Sequence, residues 1–259
     1  MVKTAIILAA GLGSRLGGLT NEMPKGFVKV GDKSLIIRSL ESLHRNGITK
    51  VYIGTGHQSQ HYENLAAKYN DTISCVKNDR YASTSSMDTL YNLRHIVNED
   101  FILLESDLLY EDRALSLLRD SHQQNIVLAS GKTFSGDEVY INADDNGFLL
   151  SMTKDPVAAA DAFGELVGIS KVSLEAYREM CAIFRLEGPP SIDYEYVMSK
   201  VKGANNFIVH RIDDLAWCEI DNSEHLMRAK SEIINAVNTA NDRYCVSSSR
   251  NDGGIIGAK

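Results

Sequence analysis

The chain has 259 residues, 44% of them hydrophobic, which is enough for one large α/β core and short for two. Its net charge of −7 excludes a general nucleic-acid binder, because such a protein needs a basic face to meet phosphates. No apolar run approaches the roughly 20 residues that span a bilayer, and the four cysteines, Cys75, Cys181, Cys218 and Cys245, form no C-x-x-C pair. The expectation is a cytoplasmic protein with reduced thiols, no structural zinc and no membrane insertion, and no secretory pattern opens the sequence.

In chain order, Val2–Ala9 reads as a buried strand and leads into a loop rich in glycine. Ser34–Asn46 has the spacing of an amphipathic helix ended by Gly47, and Val51–Gly54 reads as a second strand. A strand at Ile73–Lys77, a helix at Met87–Val97 and the apolar run Phe101–Glu105 follow. This alternation implies a mostly parallel sheet covered by helices on both faces. Ligands of such sheets sit beyond the carboxyl ends of the strands.

After Asn125 the pattern changes. Val127–Ser130, Val139–Asn142, Phe148–Met152 and Gly164–Val172 read as strands, with a hairpin turn at Asp145-Asn146-Gly147. A helix runs from Leu174 to about Phe184, and Gly188-Pro189-Pro190 breaks the chain before a short helix at Tyr194–Lys200. Strands at Phe207–Ile212 and Trp217–Ile220 precede a final helix from Ser223 to about Ala240. The domain is expected to occupy residues 1–240. Residues 241–259 carry little apolar periodicity and read as a tail or linker.

The loop after the first strand suits a polyphosphate. Gly11, Gly13, Gly17 and Gly18 allow positive φ and close approach of the backbone to an anion. Arg15 offers a fork for two phosphate oxygens, and Lys25, set by Pro24, adds a point charge. The spacing G-L-G-S-R fits neither the dinucleotide fingerprint nor a Walker loop. Asp107 follows the apolar run at Phe101–Glu105, and Asp221 closes the sequence WCEID; either suits a strand-end turn or a helix cap as well as a metal ligand. His57 and His61, four residues apart, read as a solvent-facing pair, and Trp217 and the tyrosines read as packing residues.

With Leu8, Ala9, Ala10, Gly11, Gly13, Ser14, Arg15, Leu16, Pro24 and Lys25, the chain resembles the nucleotidyltransferase family that includes the sugar-1-phosphate nucleotidyltransferases, whose pattern is LAAG-x-G-[ST]-R-L…PK. The resemblance implies a Rossmann-like, mostly parallel mixed sheet sandwiched by helices, with a small acceptor-binding subregion. It implies Mg²⁺ on Asp107 and Asp221, and catalytic roles for Arg15, Lys25, Asp107 and Lys154. Leu8, Ala9, Ala10, Gly11, Gly13, Ser14, Glu105 and Ser106 would join Arg15 and Lys25 at the nucleotide.

The stretch Asn78–Tyr91 resembles the bacterial phosphocholine cytidylyltransferase branch, which uses CTP, although Ser85 and Ser86 replace two asparagines there. The hydroxyls of Ser85 and Ser86 would still contact the pyrimidine or ribose of the nucleotide, and both serines also read as ordinary helix caps. In this branch Lys154 would face the acceptor's phosphate, and the region of Asp193, Tyr194 and Glu195 would surround its nitrogen. Glu138 falls near a tryptophan that choline-accepting relatives use. A carboxylate satisfies the three donors of a primary ammonium better than an aromatic face does. The chain therefore resembles most the 2-aminoethylphosphonate cytidylyltransferases, with Glu138, Lys154, Asp193 and Tyr194 at the acceptor. Some relatives carry a fused aminotransferase, and homo-oligomerisation stays open. Phosphocholine or phosphoethanolamine transfer, sugar-1-phosphate transfer and a regulatory domain without catalysis are the alternatives.

Overall fold

The computed structural model describes residues 2–69, 72–157, 162–187 and 192–251, with side chains as far as Arg243. Strand β1 (Thr4–Ala9) is buried along its whole length, as a central parallel strand covered on both faces must be. Two 3-10 turns, Ser14–Thr20 and Lys25–Phe27, precede a short hairpin of β2 (Lys29–Val30) and β3 (Lys33–Ser34). Helix α1 (Leu35–Arg45) buries Leu35, Ile36, Leu40 and Leu43 and stops where Gly47 takes φ 79°. Next come β4 (Lys50–Thr55), α2 (Gln60–Ala66), β5 (Ile73–Lys77), α3 (Ser86–Asn92) and β6 (Phe101–Glu105). Strands β4 and β6 flank β1 in parallel, and β5 adds in parallel to β4. Leu8 is in register with Glu105 and Ala9 with Thr55, so the three strands end level and their loops share one rim.

The chain continues through β7 (Leu108–Tyr110), α4 (Arg113–Asp120), β8 (Ile126–Ser130), β9 (Tyr140–Ala143), β10 (Leu149–Thr153) and β11 (Gly164–Val172). Strand β11 runs antiparallel to β6 through Ile169–Val172 and to β9 through Gly164 and Glu165, while β8 takes its other edge. Its register on β8 shifts between Leu166 and Ser170. Gly168 lies in that shift at φ 77°, and a Cβ there would stand 3.0 Å from Glu105 Oε2. Both its backbone angle and its neighbour demand glycine.

Helices α5 (Leu174–Glu187) and α6 (Tyr194–Met198) cover one face. Strand β12 (Ile208–Ile212) adds in parallel to β8, and β13 (Trp217–Glu219) pairs antiparallel with β7 outside the main sheet. Helix α7 (Ser223–Arg228), a π-turn at Ala229–Ile233 and α8 (Ile234–Asn251) end the described chain.

Alternation along β1 divides the core. Ile7 packs with Ile53, Leu104, Ile36 and Leu115 on one face, and Ile6 and Leu8 pack with Met87, Leu90, Tyr177 and Val197 on the other. A third cluster joins Leu16, Val28, Leu35, Leu109, Ile220, Leu226 and Val237. It clamps the residue after Arg15 beside the residue before Asp221.

The mixed, mostly parallel sheet agrees with the expected fold. Helices α2 and α4, of seven and eight residues, are too short to set up a helical period and are absent from the sequence reading. Helix α8 runs to Asn251, through residues 241–251 that the pattern assigns to a tail. Once Ile234 and Val237 anchor its start, each added residue costs little, because only the first turn is expensive. His57 and His61 are half-buried and lie against the rings of Tyr81 and Phe27, rather than facing solvent as a pair. The Gly188-Pro189-Pro190 break lies outside the described residues. Among the described residues no helix is long and apolar enough to cross a membrane, and Cys75, Cys181 and Cys218 are unpaired thiols.

Candidate functional site

A cavity of about 630 Å³ opens on the rim formed by the loops after β1 and β6. The glycine loop forms one wall. Gly13 has φ 66°, and a Cβ on it would come within 2.9 Å of Lys25 Cγ, so the glycine lets the lysine stem run beside the loop. Thr20 Oγ1 donates to Gly13 O at 2.9 Å and folds the loop back on itself. Gly26 fixes the other side of Lys25, since a Cβ there would meet Tyr62 Oη at 2.6 Å and Ser106 O at 3.3 Å. The Pro24-Lys25-Gly26 turn therefore lies flush against the loop after β6.

The charged groups meet at the centre. Lys25 Nζ donates to Asp107 Oδ2 at 2.7 Å and also to Asp221 Oδ1. Arg15 pairs through Nη2 with Asp221 Oδ2 at 2.9 Å and through Nη1 with Asp137 Oδ2 at 3.3 Å. Lys25 is nearly enclosed, its side chain 14% exposed, whereas Arg15 keeps 59% of its side chain exposed. Burial alone would favour a neutral Lys25, but Asp107 and Asp221 together hold its pKa above the ordinary lysine range. Burial likewise works against the Asp221 carboxylate, yet hydrogen bonds with Asp137 and Lys25 hold it well below the usual range. Burial, then the charges of Asp107 and Glu105, pushes Glu219 up to about 11. Glu105 is pushed up to about 8 by burial, then by Glu195 and Asp107.

These side chains fit a divalent cation. Glu105, Asp107 and Glu219 bring ligand atoms within 4.8 Å of one another, as do Asp137, Asp221 and His225. Asp107 and Asp221, from the two groups, converge on the same ammonium, which marks a point where a cation is already favourable. Carboxylate oxygens are the hard donors that Mg²⁺ prefers.

Residues from both halves of the chain complete the cavity lining. Ser85 precedes α3, and its backbone N–H donates to Asp88 Oδ2 at 3.3 Å, half of a capping arrangement. Ser86 Oγ donates to Asp193 Oδ1 at 3.1 Å and accepts from Tyr194 N at 2.9 Å, joining α3 to the start of α6. Ser85, Ser86, Asp193, Glu138 and the exposed Lys154 line the cavity. Tyr194 does not. Its side chain is buried and its hydroxyl donates to Glu105 Oε1 at 2.7 Å. Ser14 also lies off the cavity wall, at the start of its 3-10 turn, whereas Leu8, Ala9, Ala10, Gly11, Gly13, Glu105 and Ser106 line it.

Several site residues carry no strong sequence signal. Glu219 stands two residues before Asp221 and follows the alternation of β13, a signal that was available in WCEID. Asp137 sits beside the predicted Glu138, but its pairing with Arg15 depends on a loop folding over the rim. Glu195 lines the cavity with Oε2 buried and lacking a hydrogen-bond partner; burial, then Asp193, pushes its pKa up to about 7, and Lys154 opposes the shift. His225 and Glu165 lack any motif spacing and reach the site only through the tertiary fold.

Known proteins resemble this chain to differing extents. The pattern of the nucleotidyl transferase family matches residues 4–136. The chain is 28% identical over 232 residues to CMP-5'-(3-aminopropyl)phosphonate synthase of Streptomyces rubellomurinus, covering 84% of itself but 36% of that protein, so it spans about a third of that relative. It is 25% identical over 242 residues to CTP:phosphoglutamine cytidylyltransferase of Campylobacter jejuni, with 84% and 95% covered. Identity to 2-aminoethylphosphonate cytidylyltransferase of Lancefieldella rimae is 22% over 230 residues, with 86% and 89% covered. Among solved structures, CTP:phosphocholine cytidylyltransferase of Streptococcus pneumoniae shares the fold with a TM-score of 0.74 at 21% identity, over 88% of this chain and 98% of that one. The family pattern covers the stretch that builds the glycine loop, Lys25 and Asp107, and the chain belongs to the nucleotidyl transferase family.

Proposed function

We propose that the chain is a cytidylyltransferase that moves CMP from CTP to 2-aminoethylphosphonate, releasing pyrophosphate. The observation that carries the acceptor reading is Glu195, whose buried Oε2 lacks a partner at a wall that also presents Lys154. A small zwitterion answers both groups, its ammonium donating to the carboxylate and its phosphonate facing the lysine. Relatives whose names specify an aminopropyl- and an aminoethylphosphonate support the same class of acceptor. Glu138 and Asp193, which also line the cavity, add negative charge around the ammonium.

A phosphonate oxygen attacks the α-phosphorus of CTP. The new P–O bond forms as the bond to the β-phosphate oxygen breaks, and pyrophosphate leaves with the electron pair. The acceptor is already anionic near neutral pH, so no strong base is required. Lys25 and Arg15 exchange their carboxylate partners for phosphate oxygens, Lys25 at the α-phosphate and Arg15 at the β- and γ-phosphates. Asp107 and Asp221 would hold Mg²⁺, which would supply positive charge to neutralise phosphate oxygens when bound. Backbone groups of Ala9, Ala10 and Gly11, with Ser85 and Ser86, meet the base and ribose.

Pyrophosphate release in Mg²⁺ tests this reading. CTP would be supplied with 2-aminoethylphosphonate, 3-aminopropylphosphonate, phosphoethanolamine, phosphocholine, phosphoglutamine and a sugar 1-phosphate in turn. The highest kcat/KM is expected for 2-aminoethylphosphonate. Release with phosphocholine alone overturns the acceptor, and silence with every acceptor and nucleotide overturns the enzyme.

A further inference from the structure

His225 lies in the first turn of α7, 7% exposed, with its backbone N–H held by Asn222 Oδ1 at 2.9 Å. Its ring connects two parts of the site. The Asp221 N–H points to Nδ1 at 3.4 Å, so Nδ1 is the acceptor and the ring proton resides on Nε2. That nitrogen donates to Ser135 O at 3.2 Å and stands 3.9 Å from Asp137 Oδ1. The ring therefore joins the backbone of Asp221 to the loop that carries Asp137 and Glu138.

That loop needs external support. Residues 131–139 form neither helix nor strand, Phe134 takes φ 56° and Gly136 takes φ 95°. A bulky residue at positive φ persists only where its surroundings hold it. Two ties come from elsewhere in the fold. Glu165 of β11 accepts from Thr133 N and Thr133 Oγ1, both at 2.7 Å, and Arg15 of the glycine loop pairs with Asp137 at 3.3 Å. His225 adds a tie to the segment that carries Asp221.

We infer that His225 is a positioning residue that fixes loop 131–139 against Asp221, so that one imidazole sets the acceptor wall and the metal-binding carboxylate in a common frame. The consequence for acceptor binding rests on the cytidylyltransferase reading above; the tether itself does not.

The test compares wild type with His225→Ala and His225→Gln, whose amide keeps one donor and one acceptor. In the His225→Ala variant, backbone amides of residues 131–139 should exchange hydrogen about tenfold faster, while sheet amides keep their protection. His225→Gln should restore most of that protection, and long-range ¹⁵N spectra of wild type should report the Nε2–H tautomer. In kinetics, KM for the acceptor should rise about tenfold in the alanine variant with KM for CTP within about twofold. Unchanged loop exchange in His225→Ala, or an Nδ1–H tautomer, overturns the tether. A changed KM for CTP with an unchanged KM for the acceptor overturns the link to the acceptor wall. If wild type transfers to no acceptor, the functional reading fails, while the exchange data still decide the tether.

Discussion

Lys25 and Asp107 lie 82 positions apart in sequence, and Nζ of the lysine donates to Oδ2 of the aspartate at 2.7 Å. The same ammonium also bonds to Asp221, so one residue binds together the loop after β1, the loop after β6 and the segment after β13.

Lys25→Met should leave Asp107 and Asp221 without their shared counter-ion. Removing one partner from a largely buried pair costs about 3–5 kcal/mol, or a Tm fall of roughly 10 °C in a chain of this size. Added Mg²⁺ should raise Tm more in this variant than in wild type, because a cation then restores the missing charge. Differential scanning fluorimetry across a Mg²⁺ series measures both, and equal Mg²⁺ responses would separate Lys25 from the cation-binding point.

Asp107→Asn and Asp221→Asn should each lower kcat by about 10³-fold or more while CTP still binds the glycine loop. The Asp221 change should also leave Arg15 with Asp137 as its remaining carboxylate partner and disturb Asp137, since both bond to Asp221. Isothermal titration of Mg²⁺ and CTP in each variant is the direct check. Near-normal turnover in either one would remove that aspartate from the metal site.

Glu195 carries a pH signature. Its carboxyl is pushed up to about 7 by burial and then by Asp193, whereas an unfolded glutamate titrates near about 4.3. The folded chain binds more protons than the unfolded one between these values, so this group makes stability fall as pH rises from about 4 to about 7. Glu195→Gln should raise Tm at pH 8 and leave it nearly unchanged at pH 4. Function should move the other way. With wild type, kcat/KM for aminoethylphosphonate should fall below about pH 7 as the carboxylate protonates. The glutamine variant should lose about 10–100-fold at pH 8 and lack that inflection. A wild-type profile retained in the variant would assign the ammonium to another group.

Gly168→Ala should cost about 1–3 kcal/mol, because φ 77° disfavours any side chain and the new Cβ would press on Glu105 Oε2. Chemical denaturation gives the stability loss. No loss would show that the strand relaxes freely at this point.

Local chemistry made part of the site legible. The glycine loop, Lys25 and Asp107 are written in contiguous sequence as an apolar strand followed by residues with special backbone or charge. Asp107 and Asp221 each suit a turn or a cap when read alone, and only the family resemblance singles them out as a pair. Arg15 was recognised, but its contacts with Asp137 and Asp221 were not, because a charge pattern does not state which carboxylates the fold will bring to it. Glu195 was legible only as part of the Asp193-Tyr194-Glu195 segment, while Glu165 and His225 reach the site only after β11 and α7 are docked, and no short-range period encodes that docking. The serines show a different limit. Ser85 and Ser86 suit both a cap and a ligand, and in the fold they line the cavity while tying α3 to its own first turn and to α6.

The bulge at Gly168 has an evolutionary implication. Strand β11 pairs with β6 beyond the bulge and with β9 before it, so one strand joins the parallel part of the sheet to the β9–β10 hairpin. Among the described residues, β11 therefore runs through both parts of the sheet, and a splice inside it cuts both pairings. Chimeras spliced between relatives inside β11 should unfold, whereas grafting only the 131–139 loop or the residues around Glu195 should keep the fold and redirect the choice of acceptor.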